Sequence, residues 1–81
     1  MAAGMTKKEI KDVLKVYGLK MVKPSYGESD ETGAITFYAY SLLAGLVYYC
    51  YIDQNRAYAD MQLMSPTCQH EIDDVSYMFF G

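Results

Sequence analysis

Cys68, His70, Asp73 and Asp74 are the one group of neighbouring side chains in this sequence with metal-binding or nucleophilic potential, and Cys50 is the only other thiol. A thiolate beside an imidazole is the pairing that activates cysteine nucleophiles, and Cys with His is a zinc donor set. The spacing works against both. Two positions apart on a helix means a rotation of about 200°, so Cys68 and His70 face opposite ways. No second Cys or His pair is present to complete a tetrahedral site. His70 and Asp74 are placed for a hydrogen bond at i,i+4, which reads as a surface histidine near acids at a helix start. A Cys50–His70 nucleophile pair would need the fold to bring the two together. Glu28, Asp30 and Glu31 lack the ligand order and closing glutamate of an EF-hand, and no phosphate loop or nucleophile elbow occurs. The expectation is a binding protein and not an enzyme, with no catalytic residue, cofactor or metal.

The elements that carry these residues can be read from caps and periodicity. Thr6-Lys7-Lys8-Glu9 is a capping box, so a helix starts at Lys7. Ile10, Val13, Leu14 and Tyr17 then form one apolar stripe, Lys8, Lys11, Asp12 and Lys15 take the other face, and Gly18 supplies a left-handed stop. Leu19 to Lys23 reads as a short strand closed by Pro24. Ser25 to Gly33 has turn chemistry and three acids, and reads as a mobile, solvated loop.

From Thr32 to Ile52 there are 21 residues without a charge, five of them tyrosine. As a membrane-inserted segment this length would just span a bilayer. However, the tyrosines are interior instead of at the ends, polar residues dilute the run, and acids flank both sides, where a lysine or arginine would fix orientation. Strands suit it better: Ala34 to Ser41, a break at Leu42-Leu43-Ala44-Gly45, then Leu46 to Asp53. After a turn at Gln54-Asn55-Arg56, residues Ala57 to Met64 alternate apolar and polar as a half-buried strand does. On the second strand Leu46, Tyr48, Cys50 and Ile52 share one face, and Val47, Tyr49 and Tyr51 the other. Ser65-Pro66 is a helix start, with Cys68, Ile72, Val75, Met78 and Phe79 recurring near helical spacing up to the apolar C-terminus. The fold class is therefore α+β: a small antiparallel β-meander of three to four strands with an N-terminal and a C-terminal helix packed on one face. Residues 1–5 read as a frayed or vector-derived start, and 6–81 as a single domain.

Composition sets the functional class. The chain is 81 residues long and 52% hydrophobic, with nine tyrosines and six methionines, while a domain of this size hides only about 60% of its unfolded surface. Some of the surplus should be exposed as a contiguous patch, the mark of a partner or self-association surface, so a homodimer or a binder is expected. Charge is divided: all six lysines precede Pro24, giving +4 there, and the remainder carries −7. Such asymmetry steers charged partners or drives head-to-tail association, although a lysine-bearing helix face is by default a solvated one. Two cysteines are too few for a disulfide-stapled secreted miniprotein, and the first apolar segment is short and mixed with lysines, unlike a secretory signal. A reducing, cytoplasmic setting is expected, with Cys50 acting as a small hydrophobe.

The candidate binding residues are Tyr38, Tyr40, Tyr49, Tyr51 and Tyr58, with Asp53, Asp60 and Arg56 around them. Tyrosine offers flat area, a hydroxyl and few rotatable bonds, which favours it at recognition surfaces; the plain alternative is ordinary cross-strand pairing on a solvated sheet. Aromatics on a sheet also suit single-stranded nucleic acid, but that mode needs a basic groove, and these strands carry one arginine against two aspartates. Nucleic acid and membrane partners are thus disfavoured, and a protein partner with a basic surface is favoured. The expected function is occlusion of a partner surface, as an inhibitor or adaptor; a phage-type inhibitor of a host nuclease or defence complex would fit. The alternatives are a dimer that sequesters a nucleotide-like small molecule between its subunits, with Gln54, Arg56 and tyrosine hydroxyls as polar handles, and a small membrane protein inserted through residues 32–52.

Overall fold

The computed structural model describes residues 5–29, 31–64 and 75–81. Helix α1 spans Lys7–Val16, and both halves of its capping box form: Thr6 Oγ1 accepts from the Glu9 N–H at 3.1 Å and Glu9 Oε1 accepts from the Thr6 N–H at 2.8 Å. These bonds satisfy two of the donors that every helix start leaves without intrahelical partners. Gly18 ends the element at φ 75°, where a side chain would be strained. Of the predicted stripe, Ile10 and Leu14 are fully buried, Val13 is half-buried, and Tyr17 lies at the exposed margin, its ring edge-on to Tyr77.

The five strands are β1 (Leu19–Met21), β2 (Gly27–Glu28), β3 (Ala34–Ser41), β4 (Val47–Asp53) and β5 (Tyr58–Leu63). They form one antiparallel sheet in the order β1-β3-β4-β5, with β2 also pairing with β3. The meander β3-β4-β5 follows the predicted boundaries to within a residue, because apolar-in alternation fixes which residues face the helices. Ile35, Phe37 and Ala39 of β3, Tyr48, Cys50 and Ile52 of β4, and Ala59 and Met61 of β5 point to that side and are buried with Ile10, Leu14, Met21 and Val75. Burying a side chain such as Phe37 or Ile52 is worth about 1.5–3 kcal/mol. Met5 also packs against this core, and its N–H donates to Gln54 Oε1, so the packed domain takes in a residue assigned to the frayed start.

Two departures from the sequence reading concern the sheet edges. The segment read as a mobile loop contributes β2, and its backbone is tied down on both sides. β1 pairs with residues 39–41 of β3 and β2 with residues 35–36, which leaves Phe37 and Tyr38 between them. Ser25 bridges that gap: its hydroxyl donates to the Val22 carbonyl at 2.6 Å and accepts from the Tyr38 N–H at 3.0 Å, while the Val22 N–H donates to the Tyr38 carbonyl at 2.8 Å. Across the sheet end, Gln54 donates to the Gly33 carbonyl and Asn55 to the Thr32 carbonyl. Backbone groups near a core seek partners, and here short strands and side chains supply them.

The second departure is the C-terminal helix. Helix α2 is Ser76–Phe80, and Val75 before it is non-helical at φ −117°, ψ 25°. A helix running unbroken through Val75 and Phe79 is excluded by the demands of the β5 edge: the Val75 N–H donates to the Ala59 carbonyl, and the Ala59 N–H to Ser76 Oγ. Unpaired strand edges are covered in this way in many sheets. Met78, Phe79 and Phe80 pack on the core. The proposed helix start at Ser65-Pro66, with Cys68, His70, Ile72, Asp73 and Asp74, lies outside the described residues, as does Asp30. The uncharged run forms β3, the connecting turn and β4, and among the described residues no helix is long and apolar enough to cross a membrane.

Candidate functional site

The period-2 geometry that sends Phe37 and Cys50 to the helices sends the alternate residues to the opposite face. All five nominated tyrosines are there. From the turn end downward, the rungs pair Tyr40 with Val47, Tyr38 with Tyr49 and on to Gln62, Thr36 with Tyr51 and on to Asp60, and Ala34 with Asp53 and on to Tyr58. Tyr48, the tyrosine of β4 outside the set, is buried on the helix side. The rings are not equally accessible: Tyr38 is 38% exposed, whereas Tyr40, Tyr49, Tyr51 and Tyr58 are half-buried by one another and by their neighbours. Tyr38 and Tyr49 pack with ring centroids 5.1 Å apart at 54°, within the range of favourable aromatic pairs.

The polar members form a second group at the other end of the face. Asp53 accepts from the Asn55 and Arg56 N–H groups and from Arg56 Nε at 2.9 Å, and Tyr51 donates its hydroxyl proton to the same carboxylate at 3.5 Å. Burial pushes the Asp53 carboxyl up, but the Arg56 hydrogen bonds and charge, with the Asn55 N–H, outweigh it and hold the group below its ordinary value. The Arg56 guanidinium is raised in turn, chiefly by its hydrogen bond to Asp53. It also sits 5.7 Å from the centre of the Tyr58 ring, a cation–π distance. Tyr58 donates to Asp60 at 3.3 Å. Two of the five tyrosines, Tyr51 and Tyr58, are thus engaged by neighbouring charges. Asp60 carries no cation partner among the described residues.

Cys50 has the opposite character. It is 1% exposed within the core, and burial, with a further contribution from the Asp60 charge, pushes its thiol up to about 12. A neutral, enclosed thiol is neither a nucleophile nor a metal donor at neutral pH. Among the described residues no three Cys, His, Asp or Glu side chains converge on a point that could hold a metal ion. His70 and Cys68 lie outside the described residues.

Sequence reasoning did not foresee the part of Ser25, whose hydroxyl positions the backbone beneath Tyr38; a serine in a turn-rich stretch carries no signal of a sheet contact 13 residues away. It also did not foresee that the lysines gather. Lys11, Lys15, Lys20 and Lys23 line one groove of about 340 Å³ with Leu19, Met21 and Leu42, at the β1 edge of the sheet, where Lys20 stands across from Tyr40. The i,i+4 spacing of Lys11 and Lys15 was legible; their meeting with β1 and with the β3–β4 turn was not. Compared with family models, curated proteins and solved structures, the chain finds no match.

Proposed function

We propose that this protein is a binding domain that engages a protein partner through the tyrosine face of its sheet, acting as an inhibitor or adaptor by covering the partner's surface. One observation carries the reading: Tyr38, Tyr40, Tyr49, Tyr51 and Tyr58 occupy successive rungs of a single sheet face opposite the helices, with Asp53 and Asp60 among them. Rigid aromatics cost little entropy to immobilise, and their orientation by Asp53, Asp60 and Arg56 lowers that cost further. The acid at Asp60 suits a partner with a basic surface. Nucleic acid is the poorer fit, since Arg56, in the β4–β5 turn, is committed to Asp53 and the strands add only Lys20 of β1, across from Tyr40. A cytoplasmic, reducing setting agrees with a buried free thiol at Cys50.

The test begins with self-association, because a homodimer would consume the same face. Light scattering of the purified protein across a dilution series and at two salt concentrations gives the solution mass. A monomer whose immobilised form retains a basic protein, which Tyr38→Ala and Tyr49→Ala release without lowering the unfolding midpoint by more than a few degrees, supports the reading. A salt-insensitive dimer that the same substitutions dissociate would move the face from partner binding to assembly. Retention unaffected by either substitution would overturn it.

A further inference from the structure

The β3–β4 turn holds two leucines away from the protein. Leu42 is 69% and Leu43 99% exposed, and Val16, at the end of α1, is 80% exposed. The turn that carries the leucines is hydrogen-bonded: the Ala44 N–H donates to Ser41 Oγ at 3.0 Å, the Gly45 N–H to the Ser41 carbonyl at 2.8 Å, and the Ser41 N–H to the Leu46 carbonyl at 2.8 Å. Gly45 at φ 68° permits this closure. Leucine side chains presented to water from a fixed turn incur a hydration cost that something must offset in use.

The groove of lysines lies directly beside them, with Leu42 forming part of its wall. Among the described residues, the ion pairs are Lys8 with Asp12 and Arg56 with Asp53, so Lys11, Lys15, Lys20 and Lys23 face one another without carboxylates. Lys11 is held below its ordinary value, first by the Lys23 charge, then by burial and by Lys7. An anion placed there would relieve mutual repulsion.

We propose that this end of the molecule docks on an anionic lipid bilayer surface, with Leu42 and Leu43 entering the headgroup boundary and Lys11, Lys15, Lys20 and Lys23 meeting lipid phosphates. Apolar side chains on a turn beside a lysine-lined groove need a partner that is apolar in depth and anionic at its surface, and a bilayer is both. A small soluble anion would use the lysines but leave Leu43 in water. The contact is peripheral and crosses nothing, so it does not depend on residues 32–52 spanning a membrane. It meets the tyrosine face at the Lys20–Tyr40 pair.

Co-sedimentation with vesicles tests this. Phosphatidylcholine mixed with phosphatidylglycerol should carry the protein down and phosphatidylcholine alone should not, with binding weakened by salt. Leu42→Ser with Leu43→Ser, and separately Lys11→Gln with Lys23→Gln, should each lower partitioning by at least about tenfold. The chain has no tryptophan, so Leu43→Trp gives a single reporter whose emission should shift to the blue on mixed vesicles only, and it reads out insertion even if the serine variants fold poorly. Equal binding to both lipid compositions, no binding to either, or an unshifted Leu43→Trp emission on sedimented vesicles would overturn the proposal. So would binding of inositol hexakisphosphate that the leucine substitutions leave unchanged, with no partitioning onto mixed vesicles, which would mark a soluble-anion site.

Discussion

Tyr38 and Tyr49 stand opposite each other on the β3–β4 ladder, their ring centroids 5.1 Å apart, and the backbone beneath Tyr38 is held by Ser25 from outside the ladder. Two contacts from different parts of the chain therefore fix one exposed ring. The pair should show a coupling of about 0.5–1 kcal/mol in a double-mutant cycle of Tyr38→Ala and Tyr49→Ala followed by urea unfolding. Additive losses would mean that the rings touch without stabilising one another.

Ser25→Ala removes the hydroxyl that joins Val22 to Tyr38. The expected loss is about 1 kcal/mol, the net worth of a hydrogen bond whose partner retains some access to water. Amide exchange supplies the specific readout: the Tyr38 N–H should lose protection in the variant while the β4–β5 ladder keeps its own.

Cys50 should not react with thiol reagents until the protein unfolds. With Cys68→Ser removing the other thiol, the native protein should show no fast labelling, and the rate should track urea-induced unfolding. The pH dependence has a definite sign. The folded thiol ionises near 12 and the unfolded one at about 8.5, so the folded state holds more protons between those values. Stability is fully present below about pH 8.5 and declines as pH rises above it. Cys50→Ala should flatten that alkaline decline relative to the Cys68→Ser background, and an unchanged slope would assign it to other groups.

Asp53 predicts an acid limb of the opposite sign. Its carboxyl is held below the ordinary value by Arg56 and Asn55 against the opposing effect of burial. A depressed folded value means stability that is present above the unfolded value of about 3.9 and lost as pH falls through the folded one. Asp53→Asn should lower the unfolding midpoint at neutral pH and shrink the difference between neutral and acidic solution. High salt should reproduce only part of this, because the Asn55 and Arg56 N–H groups bond the carboxylate independently of the guanidinium charge.

Local order was legible because it is written in local chemistry. The capping box of Thr6 and Glu9, the i,i+4 pair Ile10 and Leu14, and the alternation of Ala59, Met61 and Leu63 with Tyr58, Asp60 and Gln62 need only neighbours to be read. Alternation also decided that Tyr49 and Tyr51 turn away from Tyr48 and Cys50, whatever the sheet packs against. Tertiary structure alone decided how the edges close. β2 exists because β3 has backbone groups to pair beyond the reach of β1, and α2 begins after Val75 because the Val75 N–H is taken by Ala59 of β5. The gathering of Lys11, Lys15, Lys20 and Lys23 around Leu42 is of the same kind, since it joins a helix, an edge strand and a turn that lie far apart in sequence. Periodicity specifies which face a side chain takes; pairing between distant backbone groups, driven by the cost of leaving them unsatisfied, specifies what that face meets.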